Sequence, residues 1–98
     1  MMQVRHRLSK AAERDVAKLF RESIKMFGLA HASGYIAGLD RTFLAIAESP
    51  EASPLRNEYR GSVRIRRFEA HHIVYRLDPK EVVIVRVLHG RQDIGRNL

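Results

Sequence analysis

The chain has 98 residues, 45% hydrophobic and 30% charged, which fits one soluble domain with a single core and excludes intrinsic disorder or two independent cores. Without cysteine, no disulfide framework or thiolate metal site can form, nothing demands an oxidising compartment, and a cytoplasmic protein is expected. The net charge of +7 is uneven: residues 1–53 carry eight Lys/Arg against six Asp/Glu and residues 54–98 carry ten against five, so the second half should attract nucleic acid, an acidic protein surface or an acidic peptide.

The first eight residues, ending Val4-Arg5-His6-Arg7-Leu8, alternate apolar and polar side chains and lack the apolar stretch of a secretory signal, so they predict a strand. Ser9 is placed to cap a helix whose Ala12, Val16, Leu19, Phe20 and Ile24 share one face, and Gly28 ends it. A second helix is predicted from about Ala30 or His31, with Ala32, Ile36, Leu39, Phe43 and Ile46 on its apolar face and Pro50 as its stop. So short a connection predicts an antiparallel hairpin whose two stripes face a common surface. Neither helix carries the ~20 consecutive apolar residues needed to span a membrane.

Residues 50–61 hold two prolines and a glycine, show no steady period, and predict the longest loop. Val63-Arg64-Ile65-Arg66 then alternates, and Arg67-Phe68 breaks the alternation, which predicts a bulge or an early strand end there. His71 to Leu77 forms a second strand, Asp78-Pro79-Lys80 a turn, and the nearly all-apolar Val82 to Leu88 a central strand. The order predicts a two-layer α+β domain over residues 1–98: an N-terminal strand, an antiparallel helical hairpin, then a three-stranded antiparallel meander with the hairpin packed on one sheet face. The tail from about residue 90 has little apolar content and is expected to be flexible.

Several residues could carry chemistry. Arg64, Arg66 and Arg67 could clamp phosphates, His71, His72 and His89 could move protons, and Glu58 could act as a base. His71 and His72 are adjacent, so on a strand they point to opposite faces and do not jointly bind a metal ion; no metal or cofactor is expected. Tyr75 alternates with Ile73 and Leu77 and reads as core, Tyr59 as loop packing, and His6 and His31 as solvated or helix-end residues. Arg86 stands in an apolar strand and needs an acidic partner or an outlet to solvent, with Glu69 and Asp93 as candidates; a functional contact is the equal alternative.

Along nearly its whole length the chain resembles toxins of the ParE/RelE superfamily. The resemblance rests on Ser9-Lys10-Ala11-Ala12 opening the first helix, on Tyr35 through Phe43 to Pro50, on Arg76 and Arg86, and above all on the ending Val85-Arg86-Val87-Leu88-His89-Gly90-Arg91-Gln92-Asp93, which is similar to that of the ParE branch. It implies a type II toxin that inhibits DNA gyrase without catalysing a reaction. It further implies a hetero-oligomer with a ParD-like antitoxin, which has a ribbon-helix-helix DNA-binding end and a flexible segment that wraps the toxin. The alternative is a RelE-type, ribosome-dependent mRNA endonuclease, for which His89, Arg64 and Arg67 are the catalytic candidates. RelE-type nucleases commonly carry a tyrosine in the tail after the last strand; this tail has none. The expected target-contacting patch is Arg66, Arg67, His89 and Arg91, and Tyr35 and Leu44 on the helical hairpin are the expected antitoxin seat.

Overall fold

A computed structural model of the chain describes residues 5–98, so Met1 to Val4 of the predicted first strand lie outside the described residues. The elements are β1 (Arg5–Leu8), α1 (Lys10–Phe27), α2 (Leu29–Glu48), β2 (Leu55–Arg56), β3 (Val63–Phe68), β4 (His71–Leu77), β5 (Glu81–His89) and a short 3₁₀ turn at Gly95–Asn97. The expected layers are present: the two helices pack on one face of a sheet built around the β3–β4–β5 meander. The sheet is mixed and five-stranded in the order β1-β5-β4-β3-β2, with β1 parallel to β5 and every other pair antiparallel.

Gly28 makes the hairpin possible. Its φ of 86° lies in the left-handed region, where a side chain is penalised, and its N–H donates to the Ile24 carbonyl at 2.9 Å. Its own carbonyl accepts from Ala32 N–H, so a single residue closes α1 and opens α2 at Leu29, one or two positions before the predicted start at Ala30 or His31. The loop from Pro50 contains the two-residue strand β2, too short for a periodicity to show.

The sheet carries apolar residues on both faces. Leu39, Phe43, Ile46, Ile73, Tyr75, Val82, Ile84 and Val87 form the core beneath the helices, while Val63, Val74 and Leu88 form a second cluster on the opposite face. Phe68 therefore breaks no pattern. It packs on the helix side while Val63 and Ile65 serve the other side, and β3 runs through to it in regular register. The irregularity lies one strand further on: Val74 pairs with Arg86 and Tyr75 with Ile84, leaving Val85 unopposed as a bulge. The second cluster also receives Ile94 and Leu98, so the tail expected to be loosely held packs back against the sheet.

Ser9 ties these features together. Its hydroxyl oxygen accepts from Ala12 N–H at 3.0 Å, capping α1 as predicted, and its O–H donates to the carbonyl of the bulged Val85 at 2.7 Å. Its backbone N–H donates to the Ile84 carbonyl. One residue thus fixes where α1 leaves β1 and satisfies the ladder group that the bulge frees.

Candidate functional site

A cleft of about 410 Å³ opens where the C-terminal half of α1, the first turns of α2 and the β3–β4 turn meet the end of β5. Leu19, Ser23, Met26 and Phe27 recur at helical spacing along its α1 wall, Tyr35 comes from α2, and His71 and His89 close the sheet side. Its lining is mainly apolar. Met26 and Phe27 are 73% and 59% exposed beside it, large apolar side chains left mostly uncovered although the Phe27 ring packs against that of His31 at 4.9 Å.

The polar groups of the cleft form a connected cluster. His71 and His89 are direct cross-strand neighbours with ring centroids 5.4 Å apart, edge to face. The Tyr35 hydroxyl lies 2.8 Å from His71 Nδ1, and the tyrosine ring meets Phe68 edge-on at 5.1 Å. Burial pushes the Tyr35 pKa up. Burial also lowers that of His71, helped by the positive charge that His89 and His72 would carry, so the neutral ring is favoured. A Cβ on Gly38 would stand 2.9 Å from Phe68 Cζ, so a glycine in α2 is what lets that ring lie close enough to support Tyr35.

His89 is committed by a local bond. Its Nδ1 accepts from Arg91 N–H at 3.1 Å, which places the proton of the neutral ring on Nε2. That tautomer presents a donor to the surroundings, whereas a metal ligand or general base at Nε2 would need a free lone pair there. Among the described residues no three His, Asp or Glu converge into a metal-binding group.

The structure separates the other predicted site residues. Arg64 and Arg66 lie opposite Tyr75 and Ile73 on the helix side, while Arg67 lies opposite His72 on the far face. Arg64 donates to the Ser53 carbonyl at 2.7 Å, with its Nε buried and without a partner, and Arg67 donates to the Glu69 carbonyl at 3.0 Å. His89 and Arg91 adjoin at the end of β5, with β4 between them and β3, and Arg66 and Arg67 point to opposite faces of β3, so the four do not all share one sheet face. Arg64, Arg67 and His89 likewise fail to surround a common point. Glu58 is paired with Arg56 at 2.8 Å, and its own backbone N–H together with that arginine holds its carboxyl below the usual range, which weakens it as a base.

Tyr35 and Leu44 are nine residues apart on α2, which puts them roughly half a turn out of phase. Tyr35 faces the cleft, and Leu44, 55% exposed, belongs to the opposite side of the helix. Tyr75 is core, as its periodicity predicts, and its hydroxyl donates to the Pro50 carbonyl at 2.7 Å. The partner of Arg86 is neither Glu69 nor Asp93 but Asp15 of α1, at 2.8 and 2.9 Å. Asp15 and the Met26-Phe27 pair carry no sequence signal beyond their helical phase, and only the packing of α1 on β5 brings them into play.

The sequence matches the family model described as "ParE toxin of type II toxin-antitoxin system, parDE" over residues 6–94. Among curated proteins it is 29% identical over 98 residues to Toxin ParE1 of Mycobacterium tuberculosis, covering 99% of this chain and 100% of that one. It is 26% identical over 84 residues to Toxin ParE3 of Caulobacter vibrioides, covering 86% and 84% respectively. Among solved structures it superposes on a chain of the chromosomal ParDE system from P. aeruginosa with a TM-score of 0.78 at 16% identity, covering 89% of this chain and 96% of that one. It superposes on a chain of the toxin–antitoxin complex RelBE2 from Mycobacterium tuberculosis with a TM-score of 0.63 at 29% identity, covering 91% and 93%. The fold, the match along almost the entire described chain and these relatives agree: the chain belongs to the ParE family of toxins of type II toxin–antitoxin systems.

Proposed function

We propose that this toxin acts by binding DNA gyrase and blocking replication, with no catalytic step of its own, and that a cognate ParD-like antitoxin neutralises it. The observation that carries the reading is the dispersal of the nuclease candidates. Arg64 and Arg67 stand on opposite faces of β3, each spends a hydrogen bond on a local carbonyl, and His89 Nδ1 is taken by Arg91 N–H. Cleavage of RNA by its own 2′-hydroxyl needs a base and cations gathered within hydrogen-bond reach of one phosphate. Inhibition by docking needs only surface.

The antitoxin reading draws on the toxin–antitoxin complexes among the structural relatives and on the cleft. An amphipathic segment, such as the flexible end of an antitoxin with a ribbon-helix-helix DNA-binding domain, would bury Met26, Phe27 and Tyr35 in a helix-in-groove arrangement. Leu44, on the other side of α2, would then need a second segment of the same wrapping chain. A cytoplasmic hetero-oligomer accords with this, and no helix among the described residues is long and apolar enough to cross a membrane.

The test is inhibition of gyrase supercoiling by the purified toxin at concentrations comparable to the enzyme, with and without the antitoxin encoded beside it. Full inhibition, relieved by antitoxin and retained by His89→Ala, is expected. The RelE-type alternative draws on the likeness to the RelBE2 chain. It predicts no effect on gyrase, messenger 5′ ends within translated codons after induction, and loss of those cuts in His89→Ala.

A further inference from the structure

The sheet face turned away from the helices is divided in two. Its half near Leu88 is apolar and covered by Ile94 and Leu98 of the tail. Its other half is a row of cations. Arg7 and Arg76 are both register partners of Val83, one on β1 and one on β4, so all three share that face. Val83 is 2% exposed yet belongs to neither apolar cluster; the aliphatic stems of its two arginine neighbours are placed to cover it. Arg5, two residues before Arg7, adds a third cation on the same face. Beyond Arg76 the row continues into the loop before β3: the Arg76 guanidinium packs over Gly61, 3.9 Å from where a Cβ would stand, next to the exposed Arg60.

Only Arg7 of this row has an acidic partner among the described residues, Glu81 at 2.7 Å, with Asp78 the other nearby acid. Lys80 in the β4–β5 turn adds a fifth cation beside Arg5. Three features decide what such a surface fits. The large exposed apolar residues, Met26, Phe27, Leu29, Leu44 and Leu55, lie on the helices or on the helix side of β2, so among the described residues this face lacks the apolar anchor around which protein interfaces are built. Tyr59, beside Arg60 of the row, is packed into the second cluster under Arg56, so among the described residues this face offers no free platform for stacking single-stranded bases. What remains is arginines set across adjacent strands, each able to grip two oxygens of a phosphate.

We infer that the row Arg5, Arg7, Arg76 and Arg60 is a binding surface for the sugar-phosphate backbone of duplex DNA, used without sequence readout. This surface lies on the opposite side of the sheet from the cleft and does not depend on the gyrase or antitoxin readings. A toxin that fails to inhibit gyrase would still bind bare duplex through it.

The experiment is fluorescence anisotropy of the purified toxin with a labelled mixed-sequence 20-base-pair duplex across a salt series. With about three phosphates neutralised, log K should fall against log[salt] with a slope of about −2.7, a loss of roughly 40-fold between about 50 and 200 mM. Arg5→Gln with Arg76→Gln, which keeps much of each stem, should reduce the slope to about −1 and weaken binding at low salt roughly tenfold. Arg14→Gln with Arg21→Gln on the exposed face of α1, matched in net charge, should leave both values unchanged. Absence of binding at low salt, or an equal loss in both double variants, would overturn the proposal. So would tighter binding of single-stranded RNA of the same length, or displacement of the duplex by poly-glutamate at equal charge, either of which would assign the row to another partner.

Discussion

Arg86 grips Asp15 with two parallel hydrogen bonds, Nε to Oδ2 at 2.8 Å and Nη2 to Oδ1 at 2.9 Å, and Asp15 Oδ2 also accepts from Val87 N–H at 2.9 Å. The third arm of the guanidinium, Nη1, donates to the Asn97 carbonyl in the tail. β1 pairs with β5 only as far as Ile84, so beyond that point the edge of β5 is closed by side chains rather than by a strand. One ion pair therefore joins α1, the open edge of the central strand and the folded-back tail.

Because the side chains of Arg86 and Asp15 are only 22% and 16% exposed, removing the acid leaves a poorly solvated charge and an unpaired strand N–H. Asp15→Ala should cost about 3 kcal/mol in urea unfolding. Glu81→Gln, which breaks the solvent-exposed Arg7 pair, should leave stability nearly unchanged. A loss below about 1 kcal/mol in Asp15→Ala would show that the pair contributes little beyond the cost of burying it.

Gly38 gives a test of packing between α2 and β3. Alanine in a helix is intrinsically better than glycine by about 1 kcal/mol, but here its methyl would meet Phe68 Cζ at 2.9 Å and displace the ring. The collision should win, giving a net loss of about 1 kcal/mol. In a Phe68→Leu background the ring is gone, and Gly38→Ala should then become stabilising. A change of the same sign in both backgrounds, read from chemical denaturation, would refute the steric account.

The layers were legible in the sequence because helix and strand periods are local properties. The stripe of α1, its Ser9 cap, the Gly28 break and the apolar β5 all follow from residues within a few positions of one another. What escaped depends on chain segments far apart in sequence. No local pattern tells that β1 runs parallel to β5, that Val85 is bulged, or that Arg86 meets a residue 71 positions earlier rather than the nearby Asp93. The site was read least well for the same reason. The arginines of β3 look like one cluster in sequence, yet alternation sends Arg66 and Arg67 to opposite faces, and His71 and His89 gain meaning only through cross-strand register. The tail shows the limit of composition: Ile94 and Leu98 are only two apolar residues, but Val63, Val74 and Leu88 offer them a ready surface.

That surface makes the tail testable. Ile94→Ala and Leu98→Ala should each cost about 1 kcal/mol, since both side chains are only half-buried. Removing residues 94–98 should cost more than the two together, because Arg86 also loses the Asn97 carbonyl. Amide exchange should then rise at Val74 and Leu88 on the uncovered face while Leu39 and Phe43 beneath the helices stay protected. Unchanged exchange at Val74 would mean that the tail lies over the sheet without stabilising it.

His71 should make stability fall in mild acid. Burial, and then the charges of His89 and His72, hold its folded pKa below the ordinary value of 6.5. The unfolded chain therefore binds this proton more readily than the folded one. The contribution is fully present above about pH 6.5 and is lost as pH falls from there through the folded pKa. Tyr35 of α2 and His89 of β5 face the ring; Glu22, His31 and Glu69 line the same cleft, and Asp15, Lys18 and Arg86 line the adjoining one. The carboxylates of Glu22 and Glu69, once drawn toward a protonated ring, would oppose the effect, so its size measures how firmly the cluster keeps its shape. His71→Gln retains a hydrogen-bonding partner for the Tyr35 hydroxyl but cannot titrate. The urea midpoint of the native protein should drop between pH 7.5 and 5 by more than that of the variant, with parallel slopes above pH 7. If the two curves track each other throughout, the acid sensitivity belongs to other groups and the neutral state of His71 is not built into the fold.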